Sequence, residues 1–134
     1  TQSLSSAASD VYKRQNSNIQ FDPGKVIIKK SSELAISSIA NILRTCPKAK
    51  FEIQGHTDSS GSEGLNKNLS QSRAEAVLFE LLNRRVLTSG IIAKGYGSIN
   101  PIADNSTDKG RETNRRIEFK LIEKLKTNSG DQAS

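Results

Sequence analysis

The stretch GHTDSSGSEGLNKNLSQSRA, Gly55 to Ala74, gathers a histidine, two acids, two asparagines and an arginine around a loop rich in glycine and serine. Three kinds of chemistry use such a set. The first is metal binding. His56 and Asp58 are two apart at a predicted strand end and share a face, but a stable site takes three or four protein ligands and His56 is the only histidine. A hard-ion site of oxygens wants clustered acids, and the loop offers only Asp58 and Glu63. No metal and no cofactor are therefore expected. The second is catalysis. Ser59, Ser60 and Ser62 complete the composition of a Ser-His-Asp set, but geometry, not composition, defines a triad. The chain has no G-x-S-x-G nucleophile elbow and no second acid poised for proton transfer. A small hydrolase using Asp58 and His56 stands as the alternative from that class.

The third is recognition of a ligand that carries both charges. Asn66, Ser70, Arg73 and Val77 follow i, i+4, i+7, i+11 spacing and share one side of a helix. Asn66 and Arg73 then lie at the border between an apolar stripe (Ala74, Val77, Leu78, Leu81, with Leu82 at its margin) and solvent. Asp58, at the end of the preceding strand, can stand across from Arg73. Such a pocket suits a zwitterion, with the ammonium on Asp58 and the carboxylate on the Arg73 fork. The spacing equally allows Asp58 and Arg73 to pair with each other, or Asp58 to accept N–H bonds within its own loop.

The elements that position these residues can be read along the chain. Ile19 and Phe21 alternate with polar neighbours before the turn signal Asp22-Pro23-Gly24, which predicts a short first strand. Ser31 or Ser32 is placed to cap a helix running to about Thr45, with Leu34, Ala35, Ile39, Ile42 and Leu43 as its apolar face. Lys50 to Thr57 predicts a strand with Phe51 and Ile53 on one side and Glu52 and Gln54 on the other. A helix follows from about Glu63 to Arg85, then a strand from Ile91 to Tyr96, a loop from Pro101 to Gly110, and a helical turn from Arg111 to Arg115. A last strand alternates through Ile117, Phe119 and Leu121. The order βαβαβ(α)β predicts an α/β (α+β) two-layer sandwich, a mixed sheet with helices on one face. Among the remaining residues, His56 is expected to fix the strand end, Gly95 and Gly97 to permit close packing or tight turns, and Tyr96 to sit in the core or at its rim. Arg111 and Arg116 are expected to pair with Asp104 or Glu118, and Cys46 to be a small buried group at a helix end.

With 134 residues the chain has room for one core, and it holds no apolar run long enough to cross a membrane, so no direct membrane insertion by this domain is expected. The single cysteine excludes an internal disulfide framework. The formal charge of +6 suits a polyanion, but over residues 18–123 sixteen Lys and Arg face twelve Asp and Glu, so the excess falls to +4. Aromatic residues for stacking single strands are few and no recognition helix stands out, so no nucleic-acid partner is expected. Ser5 to Gln15, SSAASDVYKRQ, matches codon for codon in one frame the translation of a common transposase sequencing adapter. Residues 1–15 are accordingly read as a non-native, disordered segment on a sequence taken from environmental DNA, residues 16–123 as the domain, and residues 124–134 as a disordered tail. On that reading the natural upstream region is missing, and the lack of a signal peptide carries no information.

The words GHTDSSG (Gly55 to Gly61), NKNLSQSRA (Asn66 to Ala74), GYG (Gly95 to Gly97), PIADN (Pro101 to Asn105) and GRETNRRIEF (Gly110 to Phe119) stand in one order and spacing. With the opening IQFDPGK (Ile19 to Lys25), they make the chain resemble the OmpA-like C-terminal peptidoglycan-binding domain, the family of OmpA, Pal and MotB. The resemblance spans nearly all of Asn18 to Glu123. It implies a non-enzymatic module that binds peptidoglycan through the free end of diaminopimelate in the peptide stem, an ammonium and a carboxylate on one carbon. The aspartate of the HTD word, here Asp58, takes the ammonium, and the arginine of the LSxxRA word, here Arg73, takes the carboxylate. Asn66 and Arg115 line the same site, Ser60 offers a hydroxyl, and Gly24 offers backbone from the first turn. The resemblance also implies a Gram-negative periplasm, with tethering to the outer membrane or envelope by the missing N-terminal region: a barrel, a lipid anchor or a transmembrane helix. A homodimer stays open as a partner, and a dimerisation module without wall binding is the alternative within the fold.

Overall fold

A computed structural model of the chain describes residues 19–21, 24–45 and 49–123. The expectations for residues 1–15, Cys46 and residues 124–134 lie outside these described residues.

A 3-10 turn, Lys30–Ser32, leads into helix α1, Glu33–Arg44. Strand β1, Lys50–His56, is followed by the long helix α2, Glu63–Asn83, and strand β2, Ile91–Gly97. Helix α3, Asp108–Asn114, runs directly into strand β3, Arg116–Glu123. The sheet order is β2-β1-β3, with β1 parallel to β2 and antiparallel to β3. This is the expected mixed α+β sheet. Its first predicted strand, however, is reduced among the described residues to one antiparallel bridge, Phe21 to Ile28.

Alternation divides the sheet. Phe51 and Ile53 of β1, Ile91 of β2, and Ile117 and Phe119 of β3 are buried with Ala74, Val77 and Leu81 of α2. Glu52, Gln54, Arg116, Glu118 and Lys120 take the other face, in cross-strand register Glu52–Lys120 and Gln54–Glu118. Two glycines let α2 lie directly on the strands: a Cβ at Gly95 would stand 2.3 Å from the Gln71 amide nitrogen, and one at Gly55 would stand 2.2 Å from the Ser70 carbonyl oxygen. The contact is then sealed by hydrogen bonds. Ser70 Oγ accepts from the Gly97 N–H (2.9 Å), Gln71 Oε1 accepts from the Gly95 N–H (2.8 Å), and Gln71 Nε2 donates to the Ala93 carbonyl (3.1 Å). The expectation of close packing at Gly95 and Gly97 is met.

Helix α1 departs from its predicted face. Its buried residues are Ile36, Ile39, Ala40 and Leu43, while Leu34 is 82% exposed. Ser32 is at the N-cap position but caps nothing; it is buried, and its hydroxyl accepts the Gln20 N–H at 2.7 Å. Burying that hydroxyl turns the helix by one position, so Ile36 and Ala40, in line with Ser32, point inward in place of Leu34. Leu82, at the margin of the predicted α2 stripe, is exposed.

Candidate functional site

The loop between β1 and α2 is shaped by its own polar groups. Gly61 takes φ +79°, a region that favours glycine, and Ser62 then caps α2 by accepting the Leu65 N–H at 3.2 Å. Asn66, one turn into the helix, reaches back with Nδ2 to the Ser60 carbonyl (2.8 Å) and more weakly to that of Asp58 (3.4 Å). These bonds fix the loop backbone and aim Asp58. Its Oδ1 accepts the Ser60 N–H at 2.7 Å, and its Oδ2 accepts from Arg115 Nη1 at 2.5 Å. Burial pushes the Asp58 carboxyl up, but the Ser60 N–H and the Arg115 guanidinium outweigh it and hold the group below its usual value, so it is ionised.

Arg73 lies along α2 in line with Asn66 and Ser70, as the spacing predicts, and all three are buried. It does not pair with Asp58 in the way that spacing allowed. Its Nε donates to the Lys25 carbonyl at 2.9 Å, and its guanidinium lies 4.9 Å from the Phe21 ring centroid. Burial, then the Arg115 charge, weakens its hold on its proton, while Asp58 strengthens it. Arg73 is therefore within electrostatic reach of both members of the Asp58–Arg115 pair. Gly24, exposed and at φ +69°, directly precedes the Lys25 carbonyl that Arg73 grips. Asp58, Ser60, Asn66 and Arg115 thus form one hydrogen-bonded group, joined to Arg73 through charge and to the Gly24 turn through Arg73.

Arg115 owes its position to a residue that sequence reasoning missed. Asn114 is fully buried at the end of α3. Its Oδ1 accepts the Ile102 and Ala103 N–H groups (2.8 and 2.9 Å), and its Nδ2 donates to the Ala103 carbonyl (2.9 Å) and Asn105 Oδ1 (2.8 Å). One short asparagine side chain supplies both the acceptor for two N–H groups and two N–H donors, where a serine or threonine hydroxyl has a single O–H to give. It carries no periodicity, and only its place in the NRR word singled out its neighbourhood.

His56 stands apart from this group. Glu52 only accepts, so Gln54 turns its amide N–H to Glu52 Oε1 (2.8 Å) and its carbonyl to His56 Nε2 (3.2 Å). His56 Nε2 is then the protonated nitrogen. Nδ1 is buried without a partner among the described residues. The ring stacks on Tyr96, with centroids 5.4 Å apart and planes 11° from parallel, and Tyr96 donates to Glu52 Oε1 at 2.6 Å. Neither ring nitrogen meets Asp58, so the geometry supplies no acid–base pair for the hydrolase reading. Tyr96 belongs to the polar face of the sheet and not to the core. Burial, then the Arg116 charge, lowers the His56 pKa to about 4. Arg116 pairs with Glu118 as expected; Arg111 pairs with Asp108 in place of Asp104. An open cleft of about 510 Å³ on this polar face is lined by residues such as Gln54, His56, Tyr96, Arg116 and Glu118, and by none of the six predicted ligand-binding residues.

A mixed sheet with its helices on one face, carrying a paired carboxylate and two guanidiniums at the mouth of a strand-loop-helix turn, defines a small α+β module built to present charge. The chain belongs to the OmpA family, which it matches over residues 20–115. It is 34% identical over 119 residues to the probable lipoprotein YiaD of Escherichia coli, covering 89% of this chain and 54% of that protein. It is 46% identical over 84 residues to the peptidoglycan-binding protein ArfA of Mycobacterium tuberculosis, covering 63% of this chain and 26% of ArfA. In structure it resembles the C-terminal domain of Helicobacter pylori MotB, with a TM-score of 0.73 at 27% identity over 81% of this chain and 85% of that one. The chain spans about half or less of the length of these two curated relatives. No helix among the described residues is long and apolar enough to cross a membrane.

Proposed function

We propose that the domain binds peptidoglycan non-covalently by seating the free end of a diaminopimelate side chain, the ammonium on Asp58 and the carboxylate on Arg73. Asn66, Arg115, the Ser60 hydroxyl and the backbone at Gly24 complete the site. The observation that carries this reading is the buried, ionised Asp58, aimed by Asn66 and Ser60, within electrostatic reach of the buried Arg73. A carboxylate and a guanidinium so placed match both charges of one amino-acid terminus. The ArfA relative, named for peptidoglycan binding, supports the polymer as partner. On this reading the module anchors an envelope or outer-membrane component to the wall in a Gram-negative periplasm. Each stem is held weakly, and firm attachment comes from many modules on one polymer lattice.

An amide NMR titration with two soluble stem peptides tests this. The peptide with diaminopimelate is expected to shift Asp58, Asn66, Arg73 and Arg115, and its lysine counterpart to leave them in place. Absence of shifts with the diaminopimelate peptide overturns the proposal.

A further inference from the structure

We infer that Arg115 is a specificity filter: its guanidinium occupies the Asp58 seat in the free domain and yields it readily only to an ammonium that brings its own carboxylate. The inference rests on the zwitterion reading above and concerns what enforces it.

Both Asp58 oxygens are engaged before any ligand arrives, Oδ1 by the Ser60 N–H at 2.7 Å and Oδ2 by Arg115 at 2.5 Å. The Ser60 bond belongs to a loop that Asn66 holds at the Ser60 carbonyl, so it does not give way. Arg73 does not give way either: it is buried, bonded to the Lys25 carbonyl and laid over Phe21. Arg115 differs. Its side chain is 44% exposed against 11% for Asp58, so it is the member of the pair with room to swing. Its backbone cannot follow, because its N–H is bonded to the Arg111 and Glu112 carbonyls and the preceding Asn114 is locked into the 102–105 loop. An incoming ammonium therefore meets a seat already holding a cation, and only a side-chain rotation clears it.

The two ligand types differ in what happens next. A lone ammonium displaces or crowds Arg115 and adds a third cation beside two guanidiniums that already repel each other. A zwitterion places a carboxylate one carbon from its ammonium, within reach of both Arg73 and the displaced Arg115. Arg115 then exchanges one carboxylate for another, and the guanidinium repulsion is relieved by an anion between the two. The exchange is near balance for the zwitterion and uphill for the ammonium alone.

The test uses the full chain and two probes, the tripeptide L-Ala-γ-D-Glu-meso-diaminopimelate and the same tripeptide ending in lysine. Affinities are measured for the parent chain, Arg115→Gln and Arg115→Lys, each checked for its melting profile. In Arg115→Gln the diaminopimelate peptide is expected to weaken roughly three- to tenfold, and the lysine peptide to hold steady or tighten roughly two- to fivefold. The preference between them then falls by about tenfold. Arg115→Lys keeps a cation on the seat without the fork and falls between, and it carries the test if the glutamine variant does not fold. In the parent chain, at equal peptide concentration, the Arg115 Nε–H resonance is expected to move much further with the diaminopimelate peptide than with the lysine peptide. If Arg115→Gln weakens both peptides by the same factor and keeps the parent preference, the filter is overturned while the zwitterion reading stands. If the parent chain shows no preference, the zwitterion reading falls, and the filter with it.

Discussion

Asp58→Asn separates the site from the fold more cleanly than any other change here. The side chains have the same shape, and the asparagine oxygen can still accept the Ser60 N–H now at 2.7 Å. The ion pair with Arg115 is lost, but Arg115 is 44% exposed, and an exposed pair contributes about 0.2–1 kcal/mol. A loss of about 1 kcal/mol lowers the melting temperature of a domain of this size by roughly 4–8 °C. Binding loses more. A charge-assisted hydrogen bond contributes on the order of 1.5–3 kcal/mol, so the diaminopimelate peptide should weaken roughly ten- to a hundredfold. Pull-down with purified sacculi, read beside a thermal melt, gives both numbers. Retained affinity within about threefold, in a variant whose melt falls by no more than roughly 8 °C, would refute the ammonium seat. Arg73→Ala is a poorer probe, because it also removes the tie to Lys25 and the contact with Phe21. Its melt should fall together with its binding.

Three further outcomes follow from the packing. His56 has a pKa of about 4 in the folded chain against 6.5 free, so the unfolded state binds the extra proton. Its contribution is complete above pH 6.5 and is lost as pH falls through 4, a loss of about 3 kcal/mol. The difference in unfolding free energy between the parent chain and His56→Gln, followed from pH 7 to pH 4, should shrink by about that amount, and a flat difference would show that His56 is not held neutral. Gly95→Ala drives a methyl to 2.3 Å from the Gln71 amide nitrogen, and urea titration should show a loss near about 3 kcal/mol, the upper end for overpacking. An unchanged midpoint would mean that α2 does not rest on β2 as described. Asn114→Ala frees the Ile102 and Ala103 N–H groups, so their hydrogen exchange should speed up strongly while core amides of β1 keep their protection. Unchanged exchange at both would remove Asn114 as the holder of that loop.

What was legible in the sequence is what a residue shares with near neighbours. The alternation of β1 puts Phe51 and Ile53 on one face, and the α2 spacing puts Asn66, Ser70 and Arg73 on one side of the helix, because both signals need only the element's own period; that Asn66 and Arg73 are buried, and not at the border with solvent, is set by what packs over them. The buried face of α1 is not legible from its period alone, because two apolar stripes overlap in it. The choice between Leu34 and Ile36 was made by Ser32, whose hydroxyl meets the backbone of Gln20 twelve residues away. The same limit applies at the site. The words of the family marked Asp58 and Arg115 as members of one pocket, but 57 residues separate them, and no local period predicts that they pair in the free domain. The spacing offers Arg73 to a carboxylate, yet what it grips through Nε is the Lys25 carbonyl, and any residue carries a carbonyl. That bond gives the glycine in the IQFDPGK word its meaning. Gly24 has no side chain to offer, but its φ of +69° turns the chain so that the next carbonyl faces α2. The Lys25 carbonyl, together with the Phe21 ring that Arg73 lies over, thereby ties this word to the site although Gly24 brings no side chain of its own.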